Sequence, residues 1–170
     1  MKPVFLCGFM GCGKSTVGRI LARNLGVKLV DLDNYIEQQE GMKISQIFEK
    51  KGEAYFRALE TKALKEFKTM GGVVATGGGT LLTEENGNTA KESGVVVFLD
   101  VPFNVCYGRI KGDKNRPIAY NSTREQLEER YNTRRPLYEA HSNYKISGSF
   151  SPYKTAEMIR NYYNQFQKIQ

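Results

Sequence analysis

Residues 8–15 constrain the fold of this chain more than any other stretch. They read Gly-Phe-Met-Gly-Cys-Gly-Lys-Ser, which fits the phosphate-loop pattern G-x-x-x-x-G-K-[ST] at every position. The pattern needs a strand before it and a helix after it, because its glycines turn backbone N–H groups towards an anion at the helix N-terminus. An apolar run at 4–7 and helical spacing over 14–25 supply both elements.

The loop predicts a nucleotide site with separate roles for its side chains. Lys14 can place its charge on the β- and γ-phosphates of ATP, and Ser15 can hold Mg²⁺. The other predicted nucleotide contacts in the loop are Gly11, Cys12, Gly13 and Thr16. An ordinary strand-to-helix turn is the alternative interpretation, but it would not require a lysine at this spacing.

Short apolar runs alternate with helical patterns along the whole chain. The runs predict strands at 4–7, 28–32, 73–76, 95–99 and 144–147. Helical spacing or capping residues predict helices at 14–25, 34–40, 44–50 and 52–70, after Thr83, after Pro102, after a capping box of Ser122 with Glu125, and near the C-terminus.

This alternation favours a parallel sheet with helices on both faces. We predict an α/β, three-layer P-loop NTPase fold with a central parallel sheet of about five strands. Residues 111–121 combine Gly, Pro, Asn and charge, so we expect a mobile loop there. Residues 1–170 are expected to form a single domain.

Charge and composition limit the classes of ligand and partner that the chain is expected to bind. The net charge is +7, which favours anionic ligands. Residues 101–135 hold eight Lys/Arg and four Asp/Glu, but no aromatic-interleaved RNA motif is present, so a phosphate-rich small ligand is favoured over nucleic acid. No apolar run approaches the roughly 18 residues that span a bilayer. We therefore expect a cytoplasmic monomer that contacts neither membrane nor nucleic acid, with cysteines that serve mainly as small core residues.

Two carboxylates follow the second predicted strand. Asp31 and Asp33 alternate along it, so both are expected on one side of the sheet at its carboxyl edge. One could face the metal, while the other accepts a hydrogen bond from an acceptor hydroxyl or acts as a base. The alternative is that Asp33 only caps the following helix.

A helical pair of opposite charge lies in the predicted helix at 52–70. Arg57 and Glu60 are three residues apart and can pair on one face. Such a pair holds a guanidinium rigid for a ligand carboxylate. An ordinary surface salt bridge would give the same pattern.

A second glycine run, Gly77–Gly79, follows the third predicted strand. Many P-loop proteins have an acid at that strand end that helps to bind the metal. No acid is present here, so Asp31 is expected to be the main carboxylate that interacts with the metal. The glycines expose backbone that a ligand can approach closely, although a simple turn would also use them.

An inward-facing arginine completes the acceptor pattern. Leu127, Tyr131, Arg134 and Tyr138 share one helical stripe, whereas Arg135 lies off it. An arginine on a face turned inward needs an anion.

Taken together, these stretches resemble the shikimate kinase family, in the nucleoside-monophosphate-kinase-like branch of P-loop proteins. The resemblance runs from end to end and is carried by GFMGCGKSTVGRILA, DLDNYIE, ISQIFEKKGEAYFRALE, ATGGG, RPIA and RRPLY. It implies that the γ-phosphate of ATP is transferred to the 3-hydroxyl of shikimate, with Mg²⁺ as cofactor, in aromatic amino acid biosynthesis.

The resemblance also implies residue roles. Asp33 would bind the ring hydroxyls and be the candidate base, while Arg57 and Arg134 would hold the shikimate carboxylate. Acceptor-binding helices would cover residues 34–60. The remaining implied contacts are Gly77, Gly78 and Gly79 lining the acceptor pocket, Phe48 and Phe56 as its apolar wall, Asp31 in the magnesium shell, Arg116 as the lid arginine, Arg109 stacked on adenine, and Ser151 and Pro152 covering the base.

Two alternatives remain open from the sequence. The acceptor could be another small hydroxylated acid such as gluconate, because it also carries a carboxylate and hydroxyls. A P-loop switch or nucleic-acid module without small-molecule turnover is the second, but the N-K-x-D base-recognition motif of GTPases is missing.

Overall fold

The strand that precedes the phosphate loop lies at the centre of the sheet. The computed structural model describes residues 1–114 and 116–169. In those residues the strands are β1 (Val4–Cys7), β2 (Leu29–Asp31), β3 (Val73–Ala75), β4 (Val95–Asp100) and β5 (Tyr144–Ser147). They form one parallel sheet in the order β2-β3-β1-β4-β5, in which Val4 pairs with Val73 on one side and Val95 on the other.

Every connection between the strands contains helix. In the described part of the chain the helices are α1 (Lys14–Leu25), α2 (Leu32–Glu40), α3 (Ile44–Lys51), α4 (Glu53–Met70), α5 (Glu84–Ser93), α6 (Phe103–Ile110), α7 (Pro117–Tyr120), α8 (Arg124–Ala140) and α9 (Pro152–Ile169). The predicted α/β P-loop fold with a central parallel sheet is therefore confirmed.

The core forms where the strands are apolar on both faces. Val4, Phe5 and Leu6 of β1 are fully buried, as expected for a parallel strand covered by helices. Helix α1 contributes Val17 and Leu21 to this core and packs against α9. The described cysteines are all buried and unpaired, which agrees with their predicted role as small core residues.

Parallel strands bring their carboxyl ends to one edge of the sheet. The phosphate loop leaves β1 there, Asp31 ends β2, Thr76 follows β3, and Asp100 ends β4. Ligands of open α/β sheets bind at this edge. The fold therefore gathers the predicted site residues before any side-chain detail is considered.

The predicted second strand is too long at both ends. It was expected at 28–32, but β2 covers only Leu29–Asp31, and Leu32 is the first residue of α2. Leu32 is fully buried, so its apolar character fits a strand and a helix equally well. The carboxylates Asp31 and Asp33 consequently lie on a strand end and a first helical turn, not on one strand.

The predicted cap of α8 is wrong by one residue. Thr123 caps the helix, since its hydroxyl accepts from Gln126 N while the Gln126 side chain accepts from Thr123 N. Ser122 instead donates to the Ile118 carbonyl at 2.6 Å. Both Ser122–x–x–Glu and Thr123–x–x–Gln match the capping-box pattern, and the short helix α7 just before them decides which is used.

The predicted loop at 111–121 includes the one-turn helix α7. Asn115, within this loop, lies outside the described residues. Within residues 1–114 and 116–169, none of the helices combines the length and the apolar character that a membrane span needs.

Candidate active site

A cavity of about 840 Å³ opens at the carboxyl edge of the sheet. It brings together nearly all of the residues predicted to contact ligands. Those that line it are Gly11, Cys12, Gly13, Lys14, Ser15, Thr16, Asp31, Asp33, Phe48, Phe56, Arg57, Gly77, Gly78, Gly79, Arg109, Arg116, Arg134 and Pro152. Ser151 is not among the lining residues.

The phosphate loop is shaped by glycines in backbone conformations that other residues rarely adopt. Gly11 has φ +81° and Gly13 has φ +98°, where an L side chain would be strained. Helix α1 begins at Lys14 with no side-chain cap in the described structure, so its first N–H groups can meet an anion. Lys14 Nζ donates to the carbonyls of Gly8 at 2.7 Å and Phe9 at 3.2 Å. The lysine is therefore held over the loop that would receive phosphates.

Asp31, rather than Asp33, caps the helix after β2. Asp31 Oδ1 accepts from Asn34 N at 3.0 Å. The cap alternative raised for Asp33 is therefore wrong, and Asp33 is left to face the cavity from the first turn of α2.

The surroundings of Asp33 disfavour its charge. Burial contributes most, and the neighbouring carboxylates Asp31 and Glu60 add to it, whereas Lys14 opposes it; together they raise the pKa of Asp33 to about 6. A carboxylate with a pKa this close to neutrality is suited to accept a proton.

The oxygen groups at this end of the cavity suit Mg²⁺. Ser15 and Asp31 both line it near Lys14, and the described residues contain no group of three or more His, Cys, Asp and Glu that could hold a metal. Mg²⁺ takes few protein oxygens and completes its shell with water and substrate phosphates. The Ser15 hydroxyl and the Asp31 carboxylate fit this mode of Mg²⁺ binding.

Arg57 is held by a buried carboxylate. Its Nη1 lies 2.7 Å from Glu60 Oε2, and the Glu60 side chain is only 1% exposed. Glu53, which is 66% exposed, lies 3.3 Å from Arg57 Nη2. The pair is thus not an ordinary surface salt bridge, because one partner is in the interior.

Each glycine of the second run faces a different one of the residues predicted to bind the phosphate-accepting substrate. A Cβ at Gly77 would lie 2.7 Å from Asp33 Oδ1, one at Gly78 would lie 3.1 Å from Arg134 Nη1, and one at Gly79 would lie 2.5 Å from Arg57 Nη1. A side chain at any of these positions would displace a polar group from the cavity. The glycines therefore form the floor on which Asp33, Arg57 and Arg134 converge.

Tyr138 fixes the middle of this floor, which the sequence did not reveal. Its hydroxyl donates to the Gly78 carbonyl at 2.6 Å, and burial raises the pKa of Tyr138 above its usual range, so the hydroxyl stays a donor. Arg135, one residue after Arg134, forms a two-bond ion pair with Asp100 at 2.9 and 2.7 Å. This pair anchors α8 to the end of β4 while Arg134 remains directed to the cavity.

An aromatic pair forms one wall. The rings of Phe48 and Phe56 lie 4.9 Å apart; Phe56 is buried, while Phe48 is 36% exposed. Both line the cavity beside Arg57.

The opposite end contains the residues expected near the nucleotide base and the expected lid arginine, Arg116. Arg109 Nη1 donates to the Gly11 carbonyl at 2.9 Å, and Arg116 Nε lies 3.2 Å from Asp113 Oδ2. Ser151 accepts from Lys154 N at 3.2 Å, at the start of α9. Phe150 and Thr155, which the sequence did not single out, line the cavity beside Pro152.

Comparison with known proteins gives consistent matches. A family model described as shikimate kinase matches residues 10–164. A shikimate kinase of Persephonella marina is 42% identical over 163 residues, covering 94% of this chain and 97% of that protein. One from a Sulfurihydrogenibium species is 47% identical over 139 residues, covering 81% and 83%. The solved shikimate kinase from Acinetobacter baumannii in complex with shikimate has a TM-score of 0.84 and 38% identity, covering 94% of this chain and 90% of that one.

Proposed function

The chain belongs to the shikimate kinase family, and from this membership we propose how its own residues carry out the reaction. The enzyme transfers the γ-phosphate of ATP to the 3-hydroxyl of shikimate, giving shikimate 3-phosphate and ADP. ATP and Mg²⁺ are its cofactors, and aromatic amino acid biosynthesis is its pathway.

The phosphate loop would bind the donor. Lys14 lies over the loop and would move onto the β- and γ-phosphates, while the uncapped start of α1 would meet them with backbone N–H groups. Arg109 and Pro152 would enclose the base. Ser151 is a weaker candidate for a base contact, because its hydroxyl accepts a hydrogen bond from Lys154 N at the start of α9.

Ser15 and Asp31 would hold Mg²⁺. When bound, the ion supplies positive charge to the phosphates. Arg116, at the mouth of the cavity, would add a further charge once both substrates are in place.

The floor of glycines carries the acceptor assignment. Arg57 and Arg134 present two guanidinium groups on one side of it, which suits one carboxylate, and Asp33 presents an acceptor oxygen on the other. Asp33 would orient the hydroxyl that attacks and take its proton late, since phosphoryl transfer depends on positioning and charge more than on covalent help. The convergence of these three side chains on Gly77–Gly79 is the observation that supports the proposal most directly.

Acceptor-dependent ADP release tests this function. Purified protein with ATP and Mg²⁺ should release ADP with shikimate and only a background amount with gluconate or nucleoside monophosphates. Gluconate is the informative control, because it carries a carboxylate and hydroxyls without the ring. An absence of shikimate-dependent ADP would overturn the assignment.

We also infer that the chain acts as a cytoplasmic monomer that binds neither nucleic acid nor membrane. Every residue assigned to the two substrates comes from one copy of the chain, which supports an active monomer. Sedimentation at assay concentration should give a mass near 19.3 kDa, and a dimer with no active monomer would contradict the inference.

A further inference from the structure

Arg57 lies between two separate cavities. It lines the active-site cavity together with Glu60, and it also lines an outer groove together with Glu53, on the far side of the Gly79 wall. Each cavity offers the guanidinium one carboxylate, at 2.7 Å for Glu60 and 3.3 Å for Glu53. The direction in which Arg57 points therefore depends on how firmly Glu60 is held.

Glu60 is held by a hydroxyl from the glycine loop. Thr80 Oγ1 donates to Glu60 Oε1 at 2.6 Å, and both residues are at most 1% exposed. The two carboxylate oxygens of Glu60 are thus divided, one towards Thr80 and the other towards Arg57. A hydrogen bond to a buried charge is stronger than one between neutral groups, so Thr80 fixes the orientation of this carboxylate.

Thr80 is in turn held by α5. Asn86 Nδ2 donates to the Thr80 carbonyl at 2.8 Å, and Asn86 Oδ1 accepts from Thr61 Oγ1 of α4 at 2.6 Å. Asn86 is 3% exposed, although it contacts no predicted ligand residue directly. A buried amide with both ends bonded ties the glycine loop to α4.

We propose that Thr80 and Asn86 are positioning residues for the acceptor: through Glu60 they keep Nη1 of Arg57 in the active-site cavity, while Nη2 stays paired with Glu53 at the outer groove. This inference rests on the proposed role of Arg57 in binding the shikimate carboxylate. It predicts that α5, none of whose described residues lines the active-site cavity, sets the affinity for shikimate without setting that for the nucleotide.

The test compares Thr80→Val with Thr80→Ser. The valine keeps the shape and removes the hydroxyl, whereas the serine keeps the hydroxyl. The dissociation constant of shikimate, measured by calorimetry without nucleotide, should rise about tenfold in Thr80→Val, which corresponds to about 1.4 kcal/mol. It should stay within about threefold of wild type in Thr80→Ser, and ADP affinity should be unchanged in both because Thr80 does not contact the phosphate loop.

A second substitution separates positioning from packing. Glu53→Gln in the Thr80→Val background removes the competing carboxylate of the outer groove and should recover about threefold in shikimate affinity. Arg57→Lys alone should weaken shikimate binding, because the two-bond fork is lost, and Thr80→Val should add little to it, since coupled residues are not additive.

The outcomes distinguish the role of Arg57 in binding shikimate from the role of Thr80 in positioning Arg57. An Arg57→Lys variant with normal shikimate affinity would reject the proposed role of Arg57 itself. A Thr80→Val variant that binds shikimate as wild type does, or that is weakened no more than Thr80→Ser, would overturn the positioning inference alone. If Thr80→Val does not fold, Thr61→Val is measured in its place, and an unchanged shikimate affinity there overturns the inference.

Discussion

At the scale of single residues, the surroundings of Asp33 decide its pKa. An aspartate in water is fully ionised well below neutrality, but burial and the neighbouring carboxylates Asp31, Glu60 and Glu37 raise the pKa of this one to about 6. The charge is tolerated because Lys14 lies nearby and opposes the shift. The residue therefore remains ionised at neutral pH while retaining some affinity for a proton.

The pH dependence of activity should report this pKa. If the ionised carboxylate is required, kcat/KM for shikimate should fall as the pH drops through about 6, tenfold for each further pH unit. Asp33→Asn should lose at least about 10²-fold in kcat. Initial rates from pH 5 to 8.5 measure both, with Glu92→Gln, an exposed site on α5, as the control that keeps the profile. An acid limb near pH 4 would contradict the assignment.

Asp33 should also destabilise the protein at neutral pH. Its pKa is raised in the folded state from 3.8 to about 6, so the folded chain binds the proton more tightly than the unfolded one. The stabilisation this gives is complete below about pH 4 and is lost as the pH rises to about 6. Asp33→Asn should therefore raise the free energy of unfolding at pH 7.5 by about 3 kcal/mol. Urea unfolding that shows no gain would argue against the shift.

At the scale of elements, the loop after β3 is defined by its hydrogen bonds. Thr76 Oγ1 donates to the Leu6 carbonyl at 3.0 Å, which ties the loop to β1. Tyr138 fixes Gly78 from α8, and Asn86 fixes Thr80 from α5. The glycine run is consequently a rigid floor with three supports.

A methyl group on this glycine floor should weaken the binding of shikimate without weakening the binding of ATP. Gly79→Ala would place Cβ 2.5 Å from Arg57 Nη1, so the guanidinium must move and the KM for shikimate should rise about tenfold. The KM for ATP should change little. Gly108→Ala in α6 is the matched control, because its Cβ would meet no atom within 4 Å. An equal loss for both substrates would indicate general damage instead.

The start of α8 gives a separate test of the fold. Thr123→Ala removes the side-chain cap and should lower the free energy of unfolding by about 1 kcal/mol. Ser122→Ala, which removes an exposed hydrogen bond to Ile118, should change it by less than about 0.5 kcal/mol. Urea unfolding, analysed with the same m-value for both variants, distinguishes the two effects. A larger loss of stability in Ser122→Ala would support Ser122 as the cap, as predicted from the sequence.

For the whole molecule, the sheet order matters most. Because β1 lies between β3 and β4, the donor loop is next to the glycine floor on one side and to the end of β4 on the other. The 111–121 segment carries Arg116 to the mouth of the same cavity. The residues proposed to bind the donor, to bind the acceptor and to form the lid thus line one cavity although they are distant in the chain.

Arg116 should act on the chemical step rather than on ground-state binding. Arg116→Ala should lower kcat by about 10²-fold, the range found for groups that stabilise developing charge, with smaller changes in either KM. Lys114→Ala, an exposed cation two residues away, is the control for a general charge effect. Initial rates at saturating ATP and shikimate give kcat for both variants. An unchanged kcat in Arg116→Ala would show that Arg116 does not contribute to the chemical step.

The sequence by itself predicted the fold class, the phosphate loop and the family to which the chain belongs. Periodicity, glycine placement and the strand–loop–helix pattern are local signals, and they gave β1, α1 and β5 with their observed bounds. The position of Asp31 and Asp33 near the carboxyl edge could be expected from the parallel strands, whereas the convergence of Arg57 and Arg134 on them was implied only by the resemblance to the family.

Only the tertiary structure decided the contacts between distant segments. Asp31 rather than Asp33 is the cap, Thr123 rather than Ser122 starts α8, and neither choice is visible in a pattern that both candidates satisfy. Thr80, Asn86 and the Asp100–Arg135 pair depend on hydrogen bonds between residues 6 to 35 positions apart. Such bonds form only after packing excludes water and brings the partners together, so they leave no periodic trace in the sequence.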